Sequence, residues 1–177
     1  MTSQTISRPF QPAPRFELGP LQRAMVTIVG VGLTSLALFA LIRAGAGYAA
    51  DYRSVLDLAV IIHLGAVVPA IPLGAWLLLA AKGTPRHKAL GKLWLGLMVT
   101  TAFAAVFIRQ INGGSLSLIH IFVPITLWSA WQAIATARAG DIAGHRKGLV
   151  RFYLLALTIP GLFAFTPGRL MATWLFG

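Results

Sequence analysis

Long apolar runs separated by short polar stretches organise this chain. The first run, Ala24–Ile42, holds no charge and is bracketed by Arg23 and Arg43. At about 1.5 Å per residue it spans roughly 28 Å, close to the hydrocarbon thickness of a bilayer. A cleaved signal peptide is the competing reading, since small residues follow from Ala44. The run is longer than a signal core and its leader is long and proline-rich, so a retained helix is expected. The second run, Leu58–Ala81, carries Pro69 and Pro72 inside it. Two prolines three apart remove backbone donors, which predicts a kink or a local opening near mid-membrane. The third, Leu93–Ile108, is fringed by Lys88, Lys92 and Arg109, and a tight turn at Asn112-Gly113-Gly114 follows it. The fourth, Leu116–Ala137, contains Pro124, Trp128 and Trp131. The fifth starts near Leu149 and meets Pro160 and Pro167. Beyond Arg169, Leu170–Phe176 is too short to cross and is expected at the interface.

These runs predict an all-α integral membrane protein, a five-helix transmembrane bundle with an internal two-helix repeat. Residues 1–22 are polar with four prolines and read as a flexible N-terminal segment, or as a short amphipathic surface stretch around Phe10–Leu18. Residues 23–54 are the first transmembrane helix and its outer loop. The first helix–loop–helix unit occupies 55–113, and 114–177 is the second, with the interfacial tail. In each unit a histidine lies inside an apolar run, His63 or His120, which a basic residue closes, Lys82 or Arg138. A loop then carries a second histidine beside basic residues, Arg86-His87-Lys88 or His145-Arg146-Lys147, and another apolar run ends near Arg109 or Arg169. Both units begin on the same face of the membrane, so their pseudo-twofold axis is expected along the membrane normal.

Composition supports the bilayer. Of the 177 residues, 57% are hydrophobic and 11% charged, against about 25% charged in soluble domains. No cysteine is present, which removes disulfides, thiolate metal sites and thiol catalysis. A net charge of +11 raises nucleic acid as a partner, but the basic residues sit between apolar runs and form no continuous face, so no nucleic-acid binding is expected. With five crossings, 11 of the 15 basic residues fall on the side of the N-terminus and 4 on the other. The positive-inside rule then predicts a bacterial inner (plasma) membrane protein with a cytoplasmic N-terminus, cytoplasmic His87 and His145 loops, and a periplasmic C-terminus.

That topology sorts the four histidines into two layers. His63 and His120 fall in the outer leaflet at similar depth, on the second and fourth helices. A polar ring in hydrocarbon normally faces the bundle interior and finds a partner. Two imidazoles facing each other there are the ligand pattern of a b-type haem, with His63 and His120 on the iron. An unliganded polar network is the plain alternative, and a quinone or proton-relay role a third. Zinc is disfavoured, because two histidines with Asp57 nearby fall short of its usual ligand set. Arg109 and Arg169 close the two units on the outer side, as propionate partners or as snorkelling anchors. Arg86, His87, His145 and Arg146 read as loop residues at the level of lipid or anion headgroups, or alternatively as a second haem site. No nucleophile elbow or phosphate loop occurs and only four acidic residues are present, so catalysis is not expected.

The stretch Pro85-Arg86-His87-Lys88-Ala-Leu-Gly91-Lys92, the Trp128-Ser-Ala-Trp131 region and Ala139-Gly140-Asp141 with His145-Arg146 and Arg151-Phe-Tyr153 resemble an uncharacterised bacterial multi-pass membrane protein family with paired His-Arg loops, over about residues 55–170. The resemblance implies an inner-membrane protein and brings no activity with it. Lys88 stands where that family typically has arginine, which loosens any bidentate anion contact. The layered histidines are also similar in arrangement to membrane b-type cytochromes. The expected function is therefore an electron-transfer subunit holding haem b by two histidines, whose partners are the lipid bilayer and a larger membrane complex or quinone. The alternatives are a non-catalytic accessory or assembly subunit of such a complex, and a small transporter or lipid-binding protein suggested by the proline-broken helices.

Overall fold

The computed structural model describes residues 18–48, 57–109 and 113–177. These are helical, with no strand among them. α1 spans Pro20–Gly45, α2 Leu58–Leu79, α3 Pro85–Ala105 and α4 Phe122–Arg138, the last entered through a 3-10 turn at Leu118–Ile121. α5 (Ile142–Phe152) runs through a π-helical segment, Tyr153–Thr158, into α6 (Ile159–Phe163), and a terminal α7 covers Leu170–Phe176. Among the described residues, three helical stretches are long and apolar enough to cross a membrane: Pro20–Gly45, Leu58–Leu79 and Leu118–Arg138.

Local chemistry explains where these helices begin. Asp57 accepts from the Val60 amide and opens α2. Thr84 accepts from the His87 amide with Pro85 at the first helical position, two start signals in succession. Asp141 accepts from the Gly144 amide and opens α5. The two latter caps start their helices well before the apolar runs. His87 and His145 accordingly occupy the first turns of α3 and α5, where the apolar pattern predicts loops. α1 similarly opens at Pro20, taking in the last residues of the expected N-terminal segment. Residues 1–17 and Asn112 lie outside the described residues.

The packing is that of helices in lipid. α1 buries a stripe of mostly small residues, Val26, Gly30, Leu33, Ala37, Ala40 and Ala44, and leaves Ile28, Val31, Phe39 and Ile42 exposed. Small residues let backbones approach closely where no water drives association. At Gly30 the approach is such that an added Cβ would come within 2.6 Å of Ala75 Cβ. On α4, Trp128 and Trp131 stand 62% and 57% exposed, a tilted ring pair 4.8 Å apart. A mid-helix pair exposed in this way faces lipid or a partner rather than the core.

The two prolines leave α2 unbroken. Its middle is instead clamped from two sides. Trp94 of α3 donates its indole N–H to the Ala70 carbonyl at 2.9 Å, and Tyr153 donates its hydroxyl to the Ile71 carbonyl at 3.0 Å. Both bonds are buried and land on the two residues between Pro69 and Pro72. Gly74 makes the fit, since a Cβ there would lie 2.6 Å from Trp94 Nε1 and 2.8 Å from the Tyr153 ring. Trp94 also meets Phe152 edge-on at 5.1 Å. The π segment carrying Tyr153 ends just before Pro160, whose ring would strike the Ala156 carbonyl in a regular helix. Widening the turn relieves that contact.

α7 is short, as expected, but it is not a free interfacial tail. It packs on the C-terminal half of α1, with Trp174 and Met171 buried against Ala37, Ala40 and Ala44. Arg43 ties the two together, donating from Nε to the Trp174 carbonyl at 3.3 Å and from Nη2 to the Gly177 carbonyl at 3.1 Å.

Candidate functional site

Beyond the Trp94–Tyr153 clamp, toward the C-terminal end of α1, lies a cavity of about 240 Å³ walled by residues of α1 to α4, the π–α6 segment and α7. Most of its wall is apolar. Its polar lining consists of His63, Thr101, His120, Thr126 and Arg169. The two histidines that the apolar pattern pairs by depth therefore share one chamber.

Each of the two rings is held by its Nδ1. His63, in the second turn of α2, bonds through Nδ1 to the Thr101 carbonyl of α3 at 3.0 Å. That bond makes Nδ1 the protonated nitrogen of a neutral imidazole and leaves Nε2 with a lone pair. His120 sits in the 3-10 turn ahead of α4, not one turn inside a helix. Its Nδ1 is engaged by Ser117, 3.0 Å from both the amide nitrogen and the carbonyl oxygen. Accepting the Ser117 amide at Nδ1 puts the proton of a neutral His120 on Nε2, and the other tautomer, donating to the carbonyl, leaves Nε2 as an acceptor. A ring fixed by a backbone carbonyl at one nitrogen and open at the other is the usual arrangement of a metal-ligating histidine.

Three polar atoms of the lining are buried without a hydrogen-bond partner: His120 Nε2, Thr101 Oγ1 and Arg169 Nη1. Buried polar groups are satisfied as a rule, so a cluster of exceptions at one cavity calls for a ligand or water there. Arg169 stacks its guanidinium 4.2 Å over the Phe163 ring and brings positive charge into an apolar chamber. Arg109, its counterpart in the sequence pattern, does otherwise. Its Nε donates to the Val106 carbonyl of its own chain end at 2.9 Å, and it is not part of the wall. The similar spacing in sequence does not carry over to the site. Thr101 and Thr126, both buried, enter the site unannounced by any motif. Their one signal is a hydroxyl in an otherwise apolar run.

The other two histidines gather at the opposite end. His145 donates Nδ1–H to the Ala133 carbonyl of α4 at 2.9 Å, with Thr136 Oγ1 at 3.4 Å. His87 stands ahead of the apolar part of α3 with Nδ1 buried and unpartnered. Burial, then the charge of Lys82, then that of His145 hold the His87 pKa below the ordinary histidine value. Arg86 lies over the Trp76 ring at 5.3 Å, so its guanidinium is engaged with the end of α2. Arg146 follows His145 in the first turn of α5. Lys82 donates to the Leu78 carbonyl at 2.9 Å.

Residues 60–175 match the model of a family described as predicted membrane protein (DUF2306). No curated protein and no solved structure matches the chain.

Proposed function

We propose, for a chain that belongs to the DUF2306 family of predicted membrane proteins, that it is a five-crossing protein of the bacterial inner membrane holding one b-type haem between His63 and His120. The fifth crossing is the continuous helical stretch from α5 through α6, and the third is the apolar part of α3. The basic residues concentrated on the side of the N-terminus favour a cytoplasmic N-terminus and a periplasmic cavity end.

One observation carries the reading. Two imidazoles from helices far apart in sequence line one apolar cavity, each engaged through Nδ1. Two protein ligands suit haem, whose tetrapyrrole supplies the other four nitrogens. Arg169, with Nη1 buried and unpartnered, would meet a propionate. The hydroxyls of Thr101 and Thr126 and the apolar wall would exclude bulk water and orient the ring. Bound haem would supply one-electron transfer, in keeping with a subunit that passes electrons to a quinone or a larger membrane complex. At about 240 Å³ the cavity is smaller than the about 300–1,000 Å³ typical of ligand sites. Its walls therefore have to part, and the 3-10 turn bearing His120 contributes no buried residue to hold them shut.

An absorption spectrum of the detergent-purified full chain, produced with ample haem and recorded oxidised and dithionite-reduced, tests this. The expected result is a Soret band with sharp reduced α and β bands, diminished in both His63→Ala and His120→Ala. A well-folded, monodisperse protein whose spectrum is untouched by both substitutions overturns it. A haem-free protein that co-purifies with a membrane complex would instead favour an accessory subunit.

A further inference from the structure

The two histidines of the cavity are not held alike. His63 belongs to the second turn of a 22-residue helix, and its Nδ1 donates to the Thr101 carbonyl of α3 at 3.0 Å. Turning that ring away breaks a bond that joins two helices inside the bundle. His120 belongs to a four-residue 3-10 turn with no buried residue, and its neighbours Leu118 and Ile121 stand 87% and 54% exposed. Its Nδ1 contacts go to Ser117, three residues back. Ring and partner therefore move as one piece.

Ser117 also biases the His120 ring against a metal. To ligate through Nε2, a neutral His120 must keep its proton on Nδ1 and give it to the Ser117 carbonyl. That carbonyl already accepts the His120 amide at 2.9 Å. The Ser117 amide, 3.0 Å from Nδ1, then faces an N–H where it had an acceptor. The opposite tautomer satisfies the amide and puts the proton on Nε2, where no bond to a metal can form. His63 has no such rival. Its Nδ1 faces a carbonyl, the partner that ligation through Nε2 calls for.

We infer that His120 is the axial ligand that gives way, and that the position it vacates takes a small neutral diatomic molecule of the carbon monoxide, nitric oxide and dioxygen class. The inference rests on the haem reading of the His63–His120 cavity. With carbon monoxide the exchange is a substitution at ferrous iron. The bond to His120 Nε2 breaks, a bond to carbon forms, and no proton or electron is gained or lost. The chamber sets the ligand class. It is mostly apolar and only about 240 Å³, so whatever enters beside a tetrapyrrole is small. Reaching it through lipid requires a molecule without charge. Steric access and polarity on the open side of a haem select such ligands, while His63 holds the other side.

Carbon monoxide added to the dithionite-reduced, detergent-purified full chain tests this. The Soret band of wild type is expected to move to that of a carbon monoxide adduct. A site open about a tenth of the time binds about tenfold more weakly than one always open, so the haem that His120→Ala retains should bind carbon monoxide about tenfold more tightly. His63→Ala should show no such gain. Wild type gives a second reading that needs no substitution. After flash photolysis of the adduct, an internal ligand should return at a rate independent of carbon monoxide concentration and then be slowly replaced. A reduced haem spectrum that carbon monoxide leaves unchanged overturns the inference and leaves the haem reading standing. A gain of affinity in His63→Ala with none in His120→Ala also overturns it, as does photolysis followed only by concentration-dependent rebinding. A folded chain without haem overturns both readings.

Discussion

The two ends of the bundle hold the same residue types and surround them oppositely. At the cavity end, His63 and His120 lie among apolar walls with one arginine, and buried polar atoms lack partners. At the other end, His87 and His145 sit in the first turns of helices, among cations already engaged with carbonyls and rings. A histidine in hydrocarbon must find a partner, whereas one at a helix start has water and headgroups to turn to. A repeated spacing thus copies position but not environment. The environment decides what an imidazole can do.

The harshest perturbation removes what both ends share. Gly74→Val pushes a side chain into Trp94 and Tyr153, overpacking that costs about 1–3 kcal/mol. Thermal melting in detergent should drop and haem binding at the cavity end should weaken with it. Gly96→Ala, where a Cβ meets nothing within 4 Å, should melt as wild type does. A melting temperature like that of wild type would mean that the clamp does not hold the bundle.

A finer test separates the two arginines. Arg169→Leu removes a guanidinium from the cavity wall, and a charge-assisted hydrogen bond of about 1.5–3 kcal/mol corresponds to roughly tenfold to hundredfold weaker haem binding. Arg109→Leu should leave haem titration unchanged, since its Nε serves its own chain end. Equal effects would restore the symmetry that the sequence spacing suggests.

The smallest effect concerns acid. The fold favours the neutral form of His87, so the unfolded chain takes up a proton first as pH falls below about 6.5. The stability tied to this ring is full above that value and is lost as pH drops toward the lower folded pKa. His87→Gln should lose less stability than wild type between about pH 7 and about pH 5, read by melting temperature. An identical acid limb would show that another group controls it.

Much of the architecture is legible in uncharged length. Three of the apolar runs correspond to helices long and apolar enough to cross, because lipid selects segments by composition and needs no fine periodicity. The starts of α3 and α5 are legible too, in Thr84-Pro85 and Asp141, but as capping chemistry that hydropathy ignores. Pairing His63 with His120 follows from counting crossings. Their partners do not, because the Thr101 carbonyl and the unpartnered Thr101 hydroxyl depend on how far each helix is rotated. Arg109 and Arg169 show the limit most plainly. Similar steps along the chain lead one to an exposed turn and the other into the cavity wall.

The π segment at Tyr153–Thr158 bears on how this chain can change. A π-helical turn amounts to one extra residue in a regular helix. Were the same residues wound as a regular α-helix, everything downstream would be rotated by about 100°. Tyr153 would keep its place on α2, while Phe163 and Arg169 would swing away from the cavity. The wide turn therefore keeps the cation of the chamber in phase, on a helix carrying one residue more than regular winding could absorb.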